Sequence, residues 1–333
     1  MMFATSEGTT RYRDRFAAYR DAAFYRTIFA LEVSTLGIGT YLGAEDDATD
    51  RAYTDALIAA GEGGINFFDT AINYRHQRSE RCIGAALQEM QRDEVVVCTK
   101  AGFVTPGGVP ESLRREDVAG GMHCMAPDFL ADQIERSRAN LGVDTIDVFY
   151  LHNPETQLGF VGRAEFDARI RRAFAQLEQL ADQGKIRWYG AATWDGFRKK
   201  GALSLDRLAE IAVEEGGPEH HFRFIQLPFN LNMVEAFVER PVSVLEAAAH
   251  LGVVAIASAT LLQKQVLEQM PDAVSKALPG LATGAQRAIQ FTRSTPGISV
   301  ALVGMSHREH VVENLGVASV LPAVRDDYIR LYQ

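Results

Sequence analysis

The chain has few cysteines, and their number and spacing exclude a disulfide framework. Among 333 residues only Cys82, Cys98 and Cys124 occur. An odd count at wide spacing is not typical of a small secreted domain held together by disulfide bonds. We therefore expect free thiols and a protein that works in a reducing compartment.

Long uninterrupted apolar runs are also missing. No stretch approaches the roughly 18 apolar residues that a membrane-spanning helix needs. Residues 1–7 lack the basic start and the apolar core of a signal peptide. From these two features we expect a cytoplasmic protein with no membrane partner.

An excess of positive charge is absent as well. The 43 acidic residues outnumber the 34 lysines and arginines, which gives a formal net charge of −9. The electrostatic footprint of a nucleic-acid-binding protein is therefore missing, and we expect no nucleic-acid partner. The composition that remains is that of an ordinary globular protein, with 47% hydrophobic and 23% charged residues.

A repeating order of short apolar strand, loop and amphipathic helix runs through most of the chain. The predicted strands are residues 36–39, 65–68, 95–99, 146–151, 186–191, 222–227, 253–257 and 300–303. The predicted helices are residues 49–60, 79–90, 127–141, 165–183, 203–213, 242–249, helical material within 263–293, and 307–318. Continuous apolar strands are typical of parallel sheets buried on both faces. Eight such units predict a (β/α)8 TIM barrel of class α/β.

A doubly wound open sheet is the alternative fold, but no Gly-x-Gly-x-x-Gly follows a predicted strand. No linker divides the chain, so we expect one barrel domain over residues 27–333. Residues 1–26 are predicted to be an N-terminal extension whose pattern permits one amphipathic helix. After it, residues 27–31 and 34–36, separated by Glu32 and Val33, are predicted to form a short hairpin.

Polar side chains of types common in catalytic sites follow three neighbouring predicted strands. Asp69 ends the second strand, Lys100 the third and His152 the fourth, and Tyr74 lies in the loop after Asp69. Because active-site groups of a barrel lie at the carboxyl ends of its strands, we expect these four side chains to meet. Each also has an ordinary interpretation, as a turn cap, a solvated strand end, a packed turn histidine or a rim aromatic.

Together the four residues predict a proton donor next to an oriented carbonyl group. A free tyrosine has a pKa of about 10, and a neighbouring ammonium such as Lys100 is expected to lower it. Asp69 would supply the countercharge for Lys100, and His152 would donate a hydrogen bond to a carbonyl oxygen. Such a site needs a hydride donor that side chains cannot provide, which implies a nicotinamide cofactor.

These residues resemble the aldo-keto reductases over nearly the whole chain, from about Leu36 to Val317. The stretch Gly-Ile-Asn-Phe-Phe-Asp69-Thr-Ala-x-x-Tyr74 is similar to the first signature of that family, and Thr-Lys100 and Leu-His152 match two further catalytic positions. The resemblance implies an oxidoreductase for aldehyde or ketone reduction, or the reverse reaction. It makes Tyr74 the acid and base, with Lys100 and Asp69 tuning it and His152 holding the carbonyl.

The resemblance also implies a set of cofactor-binding residues. They are Gly39, Thr40, Tyr41, Asp69, Thr193, Gln226, Ser258, Thr260, Leu261, Gly304, Met305, His310, Glu313 and Asn314. Several positions depart from the family pattern: Ala192 cannot hydrogen-bond a carboxamide, and Ala257 occurs where an aromatic usually stacks on nicotinamide. Phe229 or Trp194 could replace that aromatic.

The usual cations for the 2′-phosphate are missing, because Gly304 and His310 stand at their positions. Arg308 or His307 could compensate. We expect NADP(H), with NAD(H) as the alternative.

The loop over residues 101–126 is long and glycine-rich, which is typical of a segment that shapes a substrate pocket. Tyr41, Phe103 and Trp194 are the candidate pocket walls, and the expected substrate is a small carbonyl compound or a sugar-like molecule. A metal or redox role for His123 and Cys124 is disfavoured, and no metal site is expected.

Two other functions remain open from the sequence. The chain could be a nicotinamide-binding regulatory or sensor subunit with vestigial turnover, since its carboxamide contacts are eroded. It could also be a Schiff-base enzyme that uses Lys100, although Asp69 should keep that lysine charged. The physiological substrate, the reaction direction and the oligomeric state do not follow from the sequence.

Overall fold

Eight parallel strands close into a barrel surrounded by helices. A computed structural model of the chain describes residues 3–268 and 270–332. In chain order the strands are β1 (Tyr25–Ile28), β2 (Leu31–Ser34), β3 (Leu36–Gly39), β4 (Phe67–Asp69), β5 (Val96–Ala101), β6 (Val118–Ala119), β7 (His123–Cys124), β8 (Ile146–His152), β9 (Ile186–Ala192), β10 (Phe222–Pro228), β11 (Val254–Ser258) and β12 (Ile298–Gly304). The barrel order is β3-β4-β5-β8-β9-β10-β11-β12, and β12 pairs with β3 to close it. The predicted (β/α)8 barrel is confirmed, and the open doubly wound sheet is excluded.

The chain also forms α-helices, most of which surround the barrel strands. They are α1 (Ser6–Asp14), α2 (Ala17–Asp21), α3 (Asp47–Glu62), α4 (Arg78–Leu87), α5 (Pro127–Leu141), α6 (Arg163–Asp182), α7 (Leu205–Gly216), α8 (Glu235–Val238), α9 (Val244–His250), α10 (Gln265–Glu268), α11 (Asp272–Ala277), α12 (Gly284–Ser294), α13 (Arg308–Asn314) and α14 (Arg325–Ile329). Local signals set several ends. Asp46 caps α3 through the amide of Thr49, and Pro127 stands in the first turn of α5.

Two apolar layers hold the barrel together. The larger layer lies between the strands and the surrounding helices. The smaller layer fills the barrel interior with side chains such as Phe67, Val148 and Ile256. Seven of the barrel strands contribute side chains to both layers, and β3 contributes Leu36 and Ile38 to the larger layer alone. Most of the strand sequences are therefore apolar on both faces, which is the pattern that predicted the fold.

The N-terminal hairpin differs from its predicted register. Its strands are β1 and β2, joined at Phe29 and Ala30, which have φ angles of 45° and 68°. The prediction of residues 27–31 and 34–36 around Glu32 and Val33 was wrong. A tight hairpin turn with positive φ at both central positions normally uses Asn or Gly, so these residues gave no turn signal. Residue 36 instead begins β3.

The hairpin closes the barrel end at which the strands begin. Ile28, Leu31 and Val33 are buried in the same cluster as the barrel-interior side chains. The preceding residues form two helices, α1 and α2, where the sequence permitted one. They pack on the same end of the barrel, where the Tyr12 hydroxyl donates to the Gly61 carbonyl over 2.6 Å.

The opposite end, at the carboxyl ends of the strands, carries the longest connection. Between β5 and α5 the chain makes an excursion over residues 102–126, which includes the short antiparallel pair β6 and β7. The end of this excursion is hydrogen-bonded to its beginning, since the Cys124 amide donates to the Gly102 carbonyl over 2.7 Å. In the described part of the chain, no helix is both long and apolar enough to cross a membrane.

Candidate active site

An ion pair lies at the centre of the barrel mouth. Asp69 is the last residue of β4, and Lys100 lies on β5, the next strand. The Lys100 ammonium donates to Asp69 Oδ1 over 2.5 Å and to the Thr70 carbonyl over 2.7 Å. Asp69 Oδ2 accepts from Gln226 Nε2 on β10 over 2.8 Å. Three strands therefore fix one buried carboxylate.

The electrostatics of this pair keep the lysine charged. Lys100 is only 1% exposed, and burial alone lowers the pKa of its ammonium. The Asp69 carboxylate and, to a smaller extent, the Tyr74 phenol outweigh that effect, so the pKa of Lys100 lies above its usual value. A charged Lys100 is a poor nucleophile, which argues against the Schiff-base alternative.

Tyr74 lies in the loop after β4 and faces this ion pair. Its ring centroid is 5.2 Å from Lys100 Nζ, 5.6 Å from the His152 ring centroid and 4.9 Å from that of Tyr41. Burial raises the pKa of the Tyr74 phenol by more than Lys100 lowers it, and the result is a raised pKa. The expected lowering was wrong in direction because the sequence did not reveal how deeply the phenol is enclosed.

A left-handed turn directs Tyr74 into the mouth. Arg75, His76 and Gln77 have φ angles of 48°, 49° and 69°, which are costly for residues other than glycine. The Arg75 guanidinium anchors the turn, because it donates to the Ala44 carbonyl over 2.8 Å and to Asp50 Oδ1 over 2.5 Å. Sequence reasoning missed this anchor, since Arg75 appeared to be one of several arginines in a polar loop.

His152, the last residue of β8, completes the predicted group of four. Burial lowers the pKa of its imidazole well below the usual value, and Lys100 and His123 lower it further, so the ring is neutral. Its Nδ1 atom lies 3.1 Å from Asn73 Oδ1. The structure thus brings Asp69, Tyr74, Lys100 and His152 to one site, as expected from their positions at or after the carboxyl ends of neighbouring strands.

Side chains of the excursion over residues 102–126 contact the backbone and the ring of His152. His123 Nε2 donates to the His152 carbonyl over 2.8 Å, and its Nδ1 accepts from Gln157 Nε2 over 3.1 Å. The Phe103 ring contacts both imidazoles edge-on, at 5.1 Å from His152 and 5.2 Å from His123. A Cβ at Gly102 would approach His123 Nε2 and the His152 carbonyl to 2.6 Å each, so only glycine fits there. His123 and Gln157 were not predicted as site residues.

The three candidate pocket walls all lie near the mouth. Phe103 is partly buried against His152, and Tyr41 is 59% exposed while its ring contacts Tyr74. Trp194 follows the end of β9 and is 44% exposed. Exposed aromatic rings beside a buried polar group are typical of a surface that binds a ligand.

The predicted cofactor residues lie at or just after the carboxyl ends of β3, β4, β9, β10, β11 and β12, and three of them lie in α13. Two of them fit a polar ligand: the Thr193 and Thr260 hydroxyl oxygens are buried, and neither has a hydrogen-bond partner among the described residues. Buried hydroxyls without partners are unfavourable, so a bound amide or phosphate would satisfy them. At Gly304, a Cβ would meet nothing within 4 Å, which leaves open space beside the end of β12.

Some other predicted cofactor residues already use their polar groups in hydrogen bonds within the protein. The Gln226 amide group already donates to Asp69. Thr40 is buried and donates to Thr70 Oγ1 over 2.8 Å. Met305 and Asn314 are also buried, whereas Ser258 and Leu261 are partly exposed and His310 and Glu313 are exposed around α13.

Two suggested substitutes do not fit the roles given to them. Phe229 is fully buried and stacks on Phe291 at 6.1 Å, so it is unable to stack on a nicotinamide in the mouth. The Arg308 guanidinium contacts Asp55 Oδ1 at 3.5 Å and Glu62 Oε2 at 3.3 Å. It is therefore paired with acids of α3, which weakens its suggested role as a phosphate ligand.

Comparisons with known proteins agree with this architecture. The model of the aldo/keto reductase family matches residues 35–277. A D-threo-aldose 1-dehydrogenase from Pseudomonas sp. is 27% identical over 332 residues, covering 91% of this chain and 93% of that protein. A probable voltage-gated potassium channel subunit beta from Arabidopsis thaliana is 23% identical, covering 88% of this chain and 89% of that protein.

A solved structure has the same fold at low sequence identity. An aldo/keto reductase from Klebsiella pneumoniae, in complex with NADP and acetate, superposes with a TM-score of 0.67 at 21% identity. The match covers 92% of this chain and 95% of that one. The family match runs from the start of β3 to the end of α11 and includes seven of the eight barrel strands, so the chain belongs to the aldo/keto reductase family.

Proposed function

We propose that this protein is an NAD(P)H-dependent oxidoreductase that reduces an aldehyde or ketone to the alcohol, or catalyses the reverse reaction. The observation that carries the proposal is the buried Lys100–Asp69 pair, whose ammonium lies 5.2 Å from the Tyr74 ring centroid. The ring of a neutral His152 lies 5.6 Å from the same ring centroid. Few ordinary structural roles need these four groups together.

Tyr74 is the general acid in this proposal. Its raised pKa keeps the phenol protonated near neutral pH, which is the form that donates a proton to a carbonyl oxygen. The charged Lys100 stabilises the phenolate that remains after the transfer, and Asp69 holds Lys100 in position. His152 orients the carbonyl by hydrogen bonding to the same oxygen.

A reduced nicotinamide, when bound, would supply the hydride for the carbonyl carbon. Thr193 and Thr260 would hold it through their unpartnered hydroxyls, and Trp194 would cover the ring in place of the missing aromatic at Ala257. We propose NADP(H), because the related Klebsiella enzyme is described in complex with NADP. The pairing of Arg308 with Asp55 and Glu62 leaves NAD(H) as the alternative.

The proposed substrate is a small carbonyl compound, including sugar-like molecules. Tyr41, Phe103 and Trp194 offer flat apolar surfaces that pack against the hydrocarbon face of such a compound. The related Pseudomonas protein is described as an aldose dehydrogenase. Dissociation constants for NADPH and NADH, followed by turnover on a panel of aldehydes, ketones and aldoses, would define both partners.

A regulatory role is the second candidate, favoured by the match to a potassium channel beta subunit over most of both chains. In that case the protein would bind nicotinamide nucleotides tightly but turn over carbonyls near background. A stable partner protein on co-purification, together with such low turnover, would support it.

Replacement of Tyr74 by phenylalanine tests the reductase directly. The variant loses the proton donor but keeps the ring against Lys100, so we expect kcat to fall by about 10²- to 10⁴-fold while NADPH still binds. NADPH consumption with a reactive aldehyde measures kcat, and fluorescence titration measures binding. Tyr19→Phe, at the opposite end of the barrel, is the matched control. Full activity of the Tyr74→Phe variant would refute the proposed mechanism.

A further inference from the structure

The contact between Asn73 and His152 bears on which ring nitrogen carries the proton. Asn73 Oδ1 lies 3.1 Å from His152 Nδ1. Among the residues that the structure describes, the Asn73 side chain has no other hydrogen-bond partner, and His152 Nε2 has none. Nδ1 is therefore held by the protein, and Nε2 is left for a ligand in the mouth.

A neutral imidazole has one proton, so the partner of Nδ1 decides what Nε2 can do. With the amide oxygen facing Nδ1, that nitrogen donates and Nε2 carries a lone pair. Such an Nε2 is unable to donate to a carbonyl oxygen. If the amide turns by half a rotation, its NH₂ group donates to Nδ1, and Nε2 then carries the proton.

The two amide orientations have nearly the same shape and each forms one hydrogen bond. No other bond of the Asn73 side chain within the described residues opposes the rotation. An asparagine can therefore hold the ring neutral with Nε2 protonated. An aspartate accepts but does not donate, and a leucine does neither.

We propose that Asn73 is a positioning residue that presents His152 as a neutral Nε2–H donor to the substrate oxygen. This inference rests on the proposed carbonyl reduction for its kinetic consequence. Asn73 itself does not touch the reacting atoms. Its role is to fix the ring orientation and the proton position of the residue that does.

The surroundings of His152 favour the neutral ring. Lys100 on β5 and His123 in the excursion both lower the pKa of His152, in addition to the effect of burial. The Tyr74 and Phe103 ring centroids lie 5.6 and 5.1 Å from that of His152, with both rings nearly perpendicular to the imidazole. Among these groups Asn73 alone contacts the ring nitrogen Nδ1. A negative charge at residue 73 would oppose Lys100 and favour the imidazolium ion.

Two substitutions separate this role from a merely structural one. Asn73→Asp forces Nδ1 to stay protonated, so Nε2 carries a proton only when the ring is an imidazolium ion. Its kcat/KM for reduction should therefore fall by at least about tenfold between pH 6 and 8.5, following loss of that proton. Asn73→Leu loses one hydrogen bond, which should lower kcat/KM about tenfold at every pH. The wild-type enzyme should show no step from His152 in this range.

Gln179→Glu, on the exposed face of the outer helix α6, is the control for the effect of an added negative charge elsewhere in the protein. That variant should keep the wild-type pH profile. If Asn73→Asp has the same profile as the wild type, or as Asn73→Leu, the proposal is wrong.

A spectroscopic measurement decides the proposal without any substrate. Long-range ¹H–¹⁵N spectra report the protonation of each imidazole nitrogen, and the His152 signals among eight histidines are those absent in His152→Gln. We expect a neutral His152 ring with its proton on Nε2 from pH 6 to 8 in the wild type, and an imidazolium ion in Asn73→Asp near pH 6. A wild-type ring with its proton on Nδ1 would overturn the proposal. Identical His152 signals in the wild type and both Asn73 variants would overturn the proposal. Failure of the wild type to reduce any carbonyl would refute the proposed function and leave these spectra to decide the role of Asn73.

Discussion

At the scale of single residues, the buried imidazole of His123 makes the stability of the fold depend on pH. Burial lowers the pKa of His123 from 6.5 to about 4. The folded state therefore binds this proton more weakly than the unfolded chain, and protonation favours unfolding. The stability is complete above pH 6.5 and is lost as the pH falls towards 4. Between pH 7.5 and 5 the expected loss from this residue is about 2 kcal/mol.

The variant His123→Gln keeps an N–H donor for the His152 carbonyl but does not titrate. We expect its free energy of unfolding to fall about 2 kcal/mol less than that of the wild type over the same pH interval. Urea unfolding at pH 7.5, 6 and 5 measures the difference. His250→Gln, an exposed substitution on α9, should retain the wild-type slope. Equal slopes for His123→Gln and the wild type would contradict the assignment.

The same residues show how far the sequence determines the site. Asp69, Lys100 and His152 could be grouped because each stands at or next to the end of a barrel strand, and closure of the barrel brings those ends together. Asn73 and His123 could not, because they reach His152 through loops whose paths depend on tertiary contacts. The directions of the pKa shifts also depend on how deeply each group is buried, which is not known from the sequence.

At the scale of elements, the turn after β4 determines where Tyr74 points. Three consecutive residues in the left-handed region cost roughly 1–3 kcal/mol each, so the surroundings must hold them. Arg75 provides that anchor at the start of α3, and its guanidinium lies 5.3 Å from the Tyr53 ring centroid. The turn should relax if this guanidinium is removed.

Arg75→Ala is therefore expected to lower kcat at least about tenfold, because small misplacements of a catalytic group are costly. Its free energy of unfolding should fall by about 3 kcal/mol, since Asp50 loses a buried partner. Arg78→Ala is the matched control: Arg78 also contacts Asp50, at 2.7 Å, but is partly exposed. It should cost less than about 1 kcal/mol and keep kcat. Equal effects of the two variants on kcat would refute the anchoring role.

Elements were predictable where periodicity was strong and where a turn carried a sequence signal. α5 has its predicted bounds, since Pro127 begins it and Gly142, with a φ of 64°, follows its last residue. The hairpin register was wrong because Phe29 and Ala30 adopt a turn that other residues favour. The excursion over residues 102–126 has no periodicity, and its path depends on contacts with β8 and α5.

At the scale of the whole molecule, the two ends of the barrel have different tasks. The proposed chemistry lies at the carboxyl ends of the strands, whereas α1, α2 and the hairpin close the opposite end. Changes at the closed end should therefore affect stability more than turnover. Arg293, near the end of α12, lies at that end and is fully buried.

Arg293 joins parts of the chain that are far apart in sequence. Its guanidinium donates to Thr35 Oγ1 over 3.0 Å, to the Val317 and Val320 carbonyls over 2.7 and 2.9 Å, and to the Ala23 carbonyl over 3.3 Å. Burial lowers the pKa of Arg293 to about 9. Within the described residues it has no carboxylate partner, so backbone carbonyls carry the interaction.

Arg293→Met should leave several buried carbonyls without a donor, each costing about 1–3 kcal/mol. We expect the free energy of unfolding to fall by about 3–5 kcal/mol, while kcat of the protein that remains folded changes by less than about twofold. Chemical unfolding measures the first quantity and carbonyl reduction at low temperature the second. Arg287→Ala, on the same helix with one bond to the Leu281 carbonyl, should cost less than about 1 kcal/mol. A selective loss of kcat in Arg293→Met, with stability unchanged, would mean that the closed end communicates with the mouth and that the division of tasks between the two ends is wrong.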